Sequence, residues 1–193
     1  MTNYGEHISL SRELMDAACF AAHRHQYQRR GGYPRLPYIN HLLKVCYTLL
    51  EVGNVTDRDT LLASLLHDIM EDTTTTHHEL SLHFSSKVAD IVRELTDDMS
   101  LPYSERKALQ VQGVTSLSLP AQRIRIVDKG SNMEDITTYP LNWTWKRKMV
   151  YVKFAEEVIL PIRKQHPILV AWFDEQVIEA KARLAASNHS EGT

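Results

Sequence analysis

The sequence predicts an all-α protein, a single bundle of about ten helices, and three observations carry that reading. Apolar residues recur at helical spacing in segment after segment; Leu62, Leu65, Leu66 and Ile69, for instance, fall at i, i+3, i+4 and i+7. No alternating apolar and polar run of the kind a half-buried strand needs is found. Turn formers at Gly31-Gly32, Gly53, Thr73–Thr76, Pro102, Pro120, Pro140 and Pro167 cut the chain into helix-sized pieces. At 193 residues, with no internal repeat and no linker, the chain suits one domain with its core between about residues 10 and 185.

Each element has a local justification. Leu14, Ala17, Ala18 and Ala21 space out a first helix from about Ser9 to Gln28. It should end in Gln28–Pro37, a loop that its Gly and Pro residues make non-helical. Asn40 is the expected N-cap of a second helix carrying His41, Leu42, Val45, Leu49 and Leu50, with Gly53 just past its end. Thr56 or Asp57 should cap the central helix, which is expected to run unbroken until the threonines at 73–76. Thr76-His77-His78-Glu79 reads as a capping box for a short helix, and Ser85 starts another whose inner face is Val88, Ile91, Val92 and Leu95. Leu101-Pro102 opens a more polar helix to about Val114, and Pro120 begins one that carries Ala121, Ile124, Val127 and Asp128 and stops at Tyr139-Pro140. Thr144 caps a long helix with Met149, Val152, Ile159 and Ile162; Pro167 opens the last, which should fray from about Ser187.

Bulk properties narrow the function. Apolar residues make up 43% and charged residues 24%, an ordinary globular balance that argues against long disorder. A formal net charge of −2 gives no electrostatic case for a nucleic-acid polymer or an anionic membrane as partner. No uncharged apolar run is long enough to span a bilayer, and the first residues do not form a secretory signal. The two cysteines, Cys19 and Cys46, have no metal or redox spacing and are expected as buried free thiols in a cytoplasmic protein.

The chemistry gathers at the end of the central helix. His67, Asp68, Glu71 and Asp72 follow a strongly apolar run, and helical spacing puts His67 beside Glu71 and Asp68 beside Glu71 and Asp72. Three carboxylates crowded there repel one another and resist desolvation, and a cation would relieve both penalties. A solvated helix end with a chance His-Asp pair is the bland alternative. A metal would need further ligands from other helices, and His41 and Asp128 are the candidates, although either alone could be a satisfied core residue. Two imidazoles and two carboxylates form a mixed N/O set suited to Mn, Fe or Zn more than to Ca.

The order His…His-Asp…Asp on a helical chain resembles the HD-domain metal phosphohydrolases. Pro37–His41, His67-Asp68-Ile69-Met70-Glu71-Asp72-Thr73, Thr96-Asp97-Asp98 and Arg125–Met133 narrow the likeness. They are similar to the hydrolase half of RelA/SpoT proteins and to stand-alone small alarmone hydrolases, metazoan SpoT homologues among them. The likeness covers about residues 10 to 180. It implies that His41, His67, Asp68 and Asp128 hold one divalent ion, manganese, and that Glu71 and Asp72 act on the attacking water. It further implies substrate contacts from Arg30 on the purine and from Asn132, Trp143, Arg147 and Tyr151. The expected reaction removes the 3′-diphosphate of a (p)ppGpp-like or (p)ppApp-like small-molecule nucleotide and releases pyrophosphate. An HD phosphohydrolase for another nucleotide, such as NADPH or a deoxynucleotide, is the alternative; a non-catalytic nucleotide-binding module is the third reading. The chain departs from the family pattern at Gly31 and Tyr103, where lysines are found, at Leu42 in place of proline, in Arg125-Ile126-Val127 before Asp128, and at Gly130-Ser131, which replace a bulkier pair.

Overall fold

Ten α-helices and two short 3-10 segments make up the computed structural model, which describes residues 4–32, 34–139 and 141–190. Residues 1–3, Tyr33, Pro140 and residues 191–193 lie outside the described residues, and with them the Pro140 half of the expected Tyr139-Pro140 helix stop. Helix α1 spans Tyr4–Arg24, α2 Ile39–Glu51, α3 Arg58–Leu66, α4 Ile69–Asp72, α5 His77–His83 and α6 Ser86–Leu95. Then follow α7 over Tyr103–Gly113, α8 over Leu119–Thr138, α9 over Trp145–Ile159 and α10 over Pro167–Ser190. Among the described residues the only β pairing is an isolated antiparallel bridge between Arg29 and Pro37. The all-α expectation is borne out.

Among the described residues, local side-chain capping starts five of the ten helices. The side chains of Asp57, Thr76, Ser85, Ser118 and Thr144 each accept from the backbone N–H three residues on, satisfying a donor the first helical turn leaves open. Glu79 does not simply close the box on Thr76, because its carboxylate takes the guanidinium of Arg24 on α1. Several boundaries differ from expectation, among them the start of α1 at Tyr4 rather than near Ser9 and the end of α9 at Ile159, which leaves Ile162 in a 3-10 segment. Helix α1 stops at Arg24 rather than Gln28, since His25 bonds the Gln28 side chain at 2.6 Å and the chain turns back into the Arg29–Pro37 bridge. The N-cap of α2 is Tyr38, not Asn40, and no side chain caps it. Helix α10 continues to Ser190, past the fraying point expected near Ser187.

The central helix also differs. Rather than one helix with a buried stripe, α3 is buried on every side from Thr60 to Leu66, and the α geometry breaks at His67-Asp68 before resuming as α4. Helices α1, α2, α6 and α8 enclose it, and α8 in turn packs along α10. Leu42, Leu49, Leu61, Leu62, Leu66, Ile69, Ile124 and Phe173 are among the core side chains. Each buried leucine or isoleucine stabilises the fold by roughly 1.5–3 kcal/mol relative to exposure. Gly130 on α8 lets α10 approach: a Cβ there would lie 2.4 Å from the Trp172 ring, which is why this chain has no bulkier residue at that position. Cys46 is buried as expected, but Cys19 is exposed, because it faces outward from α1 beside a surface groove. No helix among the described residues is long and apolar enough to cross a membrane.

Candidate metal centre and substrate cavity

Three core helices bring the candidate ligands together. His41 comes from α2, His67 and Asp68 from the break after α3, and Asp128 from the middle of α8. His41 Nε2 lies 3.3 Å from Asp128 Oδ1 and 3.8 Å from Asp68 Oδ2; His67 Nε2 lies 3.8 Å and 3.1 Å from the same two oxygens. One ligand atom each from His41, His67 and Asp128 falls within 4.8 Å of the others, and all three residues are buried. His67 Nδ1 is 2.8 Å from the carbonyl oxygen of Ser64, which can only accept. That contact puts the ring proton on Nδ1 and turns the Nε2 lone pair into the site. Neither His67 Nε2 nor His41 Nε2 has a hydrogen-bond partner despite full burial, which native interiors rarely tolerate. Two inward imidazole nitrogens facing two carboxylates fit a divalent ion.

Electrostatics in the cluster points the same way. Burial, the largest influence, pulls His41 below the ordinary histidine range. Burial also works against protonation of His67, yet the Asp68 and Asp128 carboxylates outweigh it and push that pKa up to about 10. The two carboxylates thus favour positive charge at this point of the cluster, which a divalent ion would supply. Asp68 and Asp128 are held low against burial, Asp68 by His67 and Asp128 by Lys129 and the two histidines.

A second layer of side chains fixes the carboxylates. The Tyr38 hydroxyl donates to Asp68 Oδ2 at 2.7 Å. Asn132 Nδ2 donates to Asp128 Oδ1 at 2.6 Å, and Lys129 Nζ to Asp128 Oδ2 at 3.1 Å. Asn132 Oδ1 in turn takes an N–H of Arg30, whose guanidinium also bonds Asp135 through Nε at 2.9 Å and lies 5.4 Å from the Tyr38 ring centre. Such outer contacts orient ligands and tune what they bind.

Beside the cluster opens a cavity of about 290 Å³. Asp68, Asp128, Glu71, Arg30, Asn132, Trp143 and Tyr151 line it, so most residues expected at the site meet in one space. Glu71 Oε2 accepts from the Asp97 backbone N–H at 3.1 Å; burial, then the neighbouring carboxylates, raise its pKa above the usual range. Asp72 stands apart: it is exposed, outside the cavity wall, and accepts from Gln28 Nε2 at 2.8 Å. Arg147 is also outside this wall; its guanidinium sits 4.0 Å from the Trp143 ring centre and lines an adjoining aromatic pocket of about 360 Å³. The sequence reading missed Tyr38, Lys107, Gln110 and Lys129. Tyr38 and Lys129 fall inside the quoted motifs, but Lys107 and Gln110 sit on the polar helix α7 and carry no local signal.

Fold and cluster together are those of an HD domain, and the family model described as HD domain matches residues 17–155. The chain is 40% identical over 167 residues to the guanosine-3′,5′-bis(diphosphate) 3′-pyrophosphohydrolase MESH1 of Xenopus tropicalis, covering 86% of this chain and 93% of the relative. The Homo sapiens MESH1 protein is 40% identical over 148 residues, covering 76% and 83%. A solved structure described as a metazoan ortholog of SpoT that hydrolyzes ppGpp superposes with a TM-score of 0.83 at 34% identity, covering 86% of this chain and 94% of that one. The chain belongs to the HD-domain family, and within it to the group of the MESH1 proteins.

Proposed function

We propose that this chain is a metal-dependent nucleotide 3′-pyrophosphohydrolase, acting on the 3′-diphosphate of guanosine or adenosine alarmones of the (p)ppGpp or (p)ppApp type. What supports the reading is a single conjunction. Two buried imidazole nitrogens without hydrogen-bond partners face Asp128 beside a cavity edged by Glu71, in a chain 40% identical to a ppGpp 3′-pyrophosphohydrolase. His41, His67, Asp68 and Asp128 would hold the ion; manganese is among the metals that suit this donor set and is the one the family resemblance implies. A divalent ion held there supplies Lewis-acid charge, making a water nucleophilic at neutral pH and offsetting phosphoryl charge.

The residues of the chain do the rest. Glu71 takes a proton from the attacking water, and its raised pKa suits a group that must both accept and return one. Asp72, outside the cavity wall, is the second carboxylate of the acidic pair that the family motif carries. Water adds to the phosphorus next to the ribose as the bond from that phosphorus to the 3′-oxygen breaks. The proton held by Glu71 passes to the 3′-oxygen, so the products are pyrophosphate and a nucleotide with a free 3′-hydroxyl. Arg30 offers a guanidinium face to the purine, while Asn132, Trp143, Arg147 and Tyr151 line the substrate side. The test is to incubate manganese-loaded protein with guanosine and adenosine 3′-diphosphate nucleotides and with NADPH, then resolve the products. Pyrophosphate from the first two is expected; turnover confined to NADPH would instead support the alternative phosphohydrolase reading.

A further inference from the structure

Four cations line the cavity: Arg30, Arg125, Lys129 and Lys107. Three are tied to near partners. Arg30 is bonded to Asp135 and Asn132, Arg125 donates through Nη2 to the Leu95 carbonyl at 3.0 Å, and Lys129 lies 3.1 Å from Asp128. Lys107 differs. Its nearest ion-pair partner among the described residues is Asp97 Oδ2, 3.8 Å away, and both oxygens of that carboxylate already accept from Gln110 at 2.8 and 2.7 Å. The Lys107 ammonium sits 5.2 Å from the ring centres of both Tyr103 and Phe154, with about a quarter of its side chain exposed. It lines both the main cavity and the aromatic pocket, at the junction between them.

Resting on the function proposed above, we infer that Lys107 is a further substrate-binding residue, whose ammonium takes the phosphoryl oxygens of the substrate that face away from the metal ligands. A cation with an occupied carboxylate as its nearest partner, at the border of an anion-hydrolysing cavity, is poised for a phosphate. Ring faces on two sides hold its position without neutralising it. Burial, then repulsion from Lys129, lower its pKa to about 8 against the opposing pull of Asp97, Glu71 and Asp128, and an incoming phosphate would relieve that strain on the charge. Lys107 would hold the phosphate alike before and in the transition state, so its contribution should appear in substrate capture and not in the chemical step.

The test compares Lys107→Met and Lys107→Arg with the parent protein, all manganese-loaded. It measures KM and kcat on a 3′-diphosphate nucleotide, the inhibition or binding constant of inorganic pyrophosphate, metal content and Tm. Losing one charge-assisted contact should raise KM and weaken pyrophosphate binding about 10- to 100-fold in Lys107→Met. Expected alongside are kcat within about threefold, unchanged metal content and partial rescue by Lys107→Arg. Unchanged KM and unchanged pyrophosphate binding in Lys107→Met would overturn the inference. So would a loss of metal or of Tm in both variants with kcat falling while KM holds, since that marks a structural role. If the parent protein turns over no 3′-diphosphate nucleotide, the functional reading fails, yet direct pyrophosphate binding still decides the part played by Lys107.

Discussion

Helices α7 and α8 line the same cavity and are held in place by opposite means. Helix α8 buries twelve of its residues, including Asp128, Lys129 and the unbroken run from Ile124 to Ser131. Helix α7 buries none; two bonds from Gln110 to Asp97, with Arg106 3.8 Å from the same carboxylate, tie it down. On the proposed function, the difference follows from what each does. A metal ligand tolerates little displacement, so it is set in a close-packed core where side chains have one arrangement. A phosphate contact must accommodate entry and exit, and a helix anchored by polar bonds opens at lower cost than one sealed in the core.

The largest expected effect lies on the core side of that contrast. Asp68→Ala removes a proposed anionic ligand that Tyr38 holds in place, and activity should fall to the assay background in steady-state kinetics. Glu71→Gln comes next. It puts a carboxamide in the same space but removes the proposed proton acceptor, so kcat should fall about 10²- to 10⁴-fold. Stability separates the two regions directly. Leu62→Ala on fully buried α3 should cost about 2–5 kcal/mol in denaturant unfolding, whereas Leu109→Ala on α7, 52% exposed, should stay within about 0.5 kcal/mol. Equal losses at the two sites would erase the distinction between a packed ligand scaffold and a polar-anchored helix.

The smallest effect sharpens the comparison at Lys107. This group binds anions only while protonated, and its pKa is lowered to about 8. Capture should therefore be intact below that pH and fade as pH rises through it, giving kcat/KM an alkaline limb near 8. Lys107→Arg, whose guanidinium stays charged, should lose the limb. An identical limb in that variant would assign it to another group.

What could be read from the sequence was local or carried by motif. The caps at Asp57, Thr76, Ser85 and Thr144 were legible because each bonds a backbone N–H three residues on. His41, His67, Asp68 and Asp128 come from three separate helices, and their spacing alone could not bring them together; the motif order did. Features made by distant contacts left no trace. Tyr38 bonds Asp68 across 30 positions, Arg30 is locked by Asp135 across 105, and Lys107 on α7 stands against the Phe154 ring of α9. The helical break at His67-Asp68 also escaped the periodicity, since the apolar pattern runs through it without interruption.

Ligand and proton acceptor are the central distinction, and metal content tests it most directly. Purified parent protein, Asp128→Ala and Glu71→Gln should be loaded with manganese, desalted and measured for bound metal. One ion per chain is expected in the parent and in inactive Glu71→Gln, and none in Asp128→Ala, whose carboxylate faces both His41 and His67. Glu71→Gln emerging without metal, or Asp128→Ala retaining a full equivalent, would contradict the account.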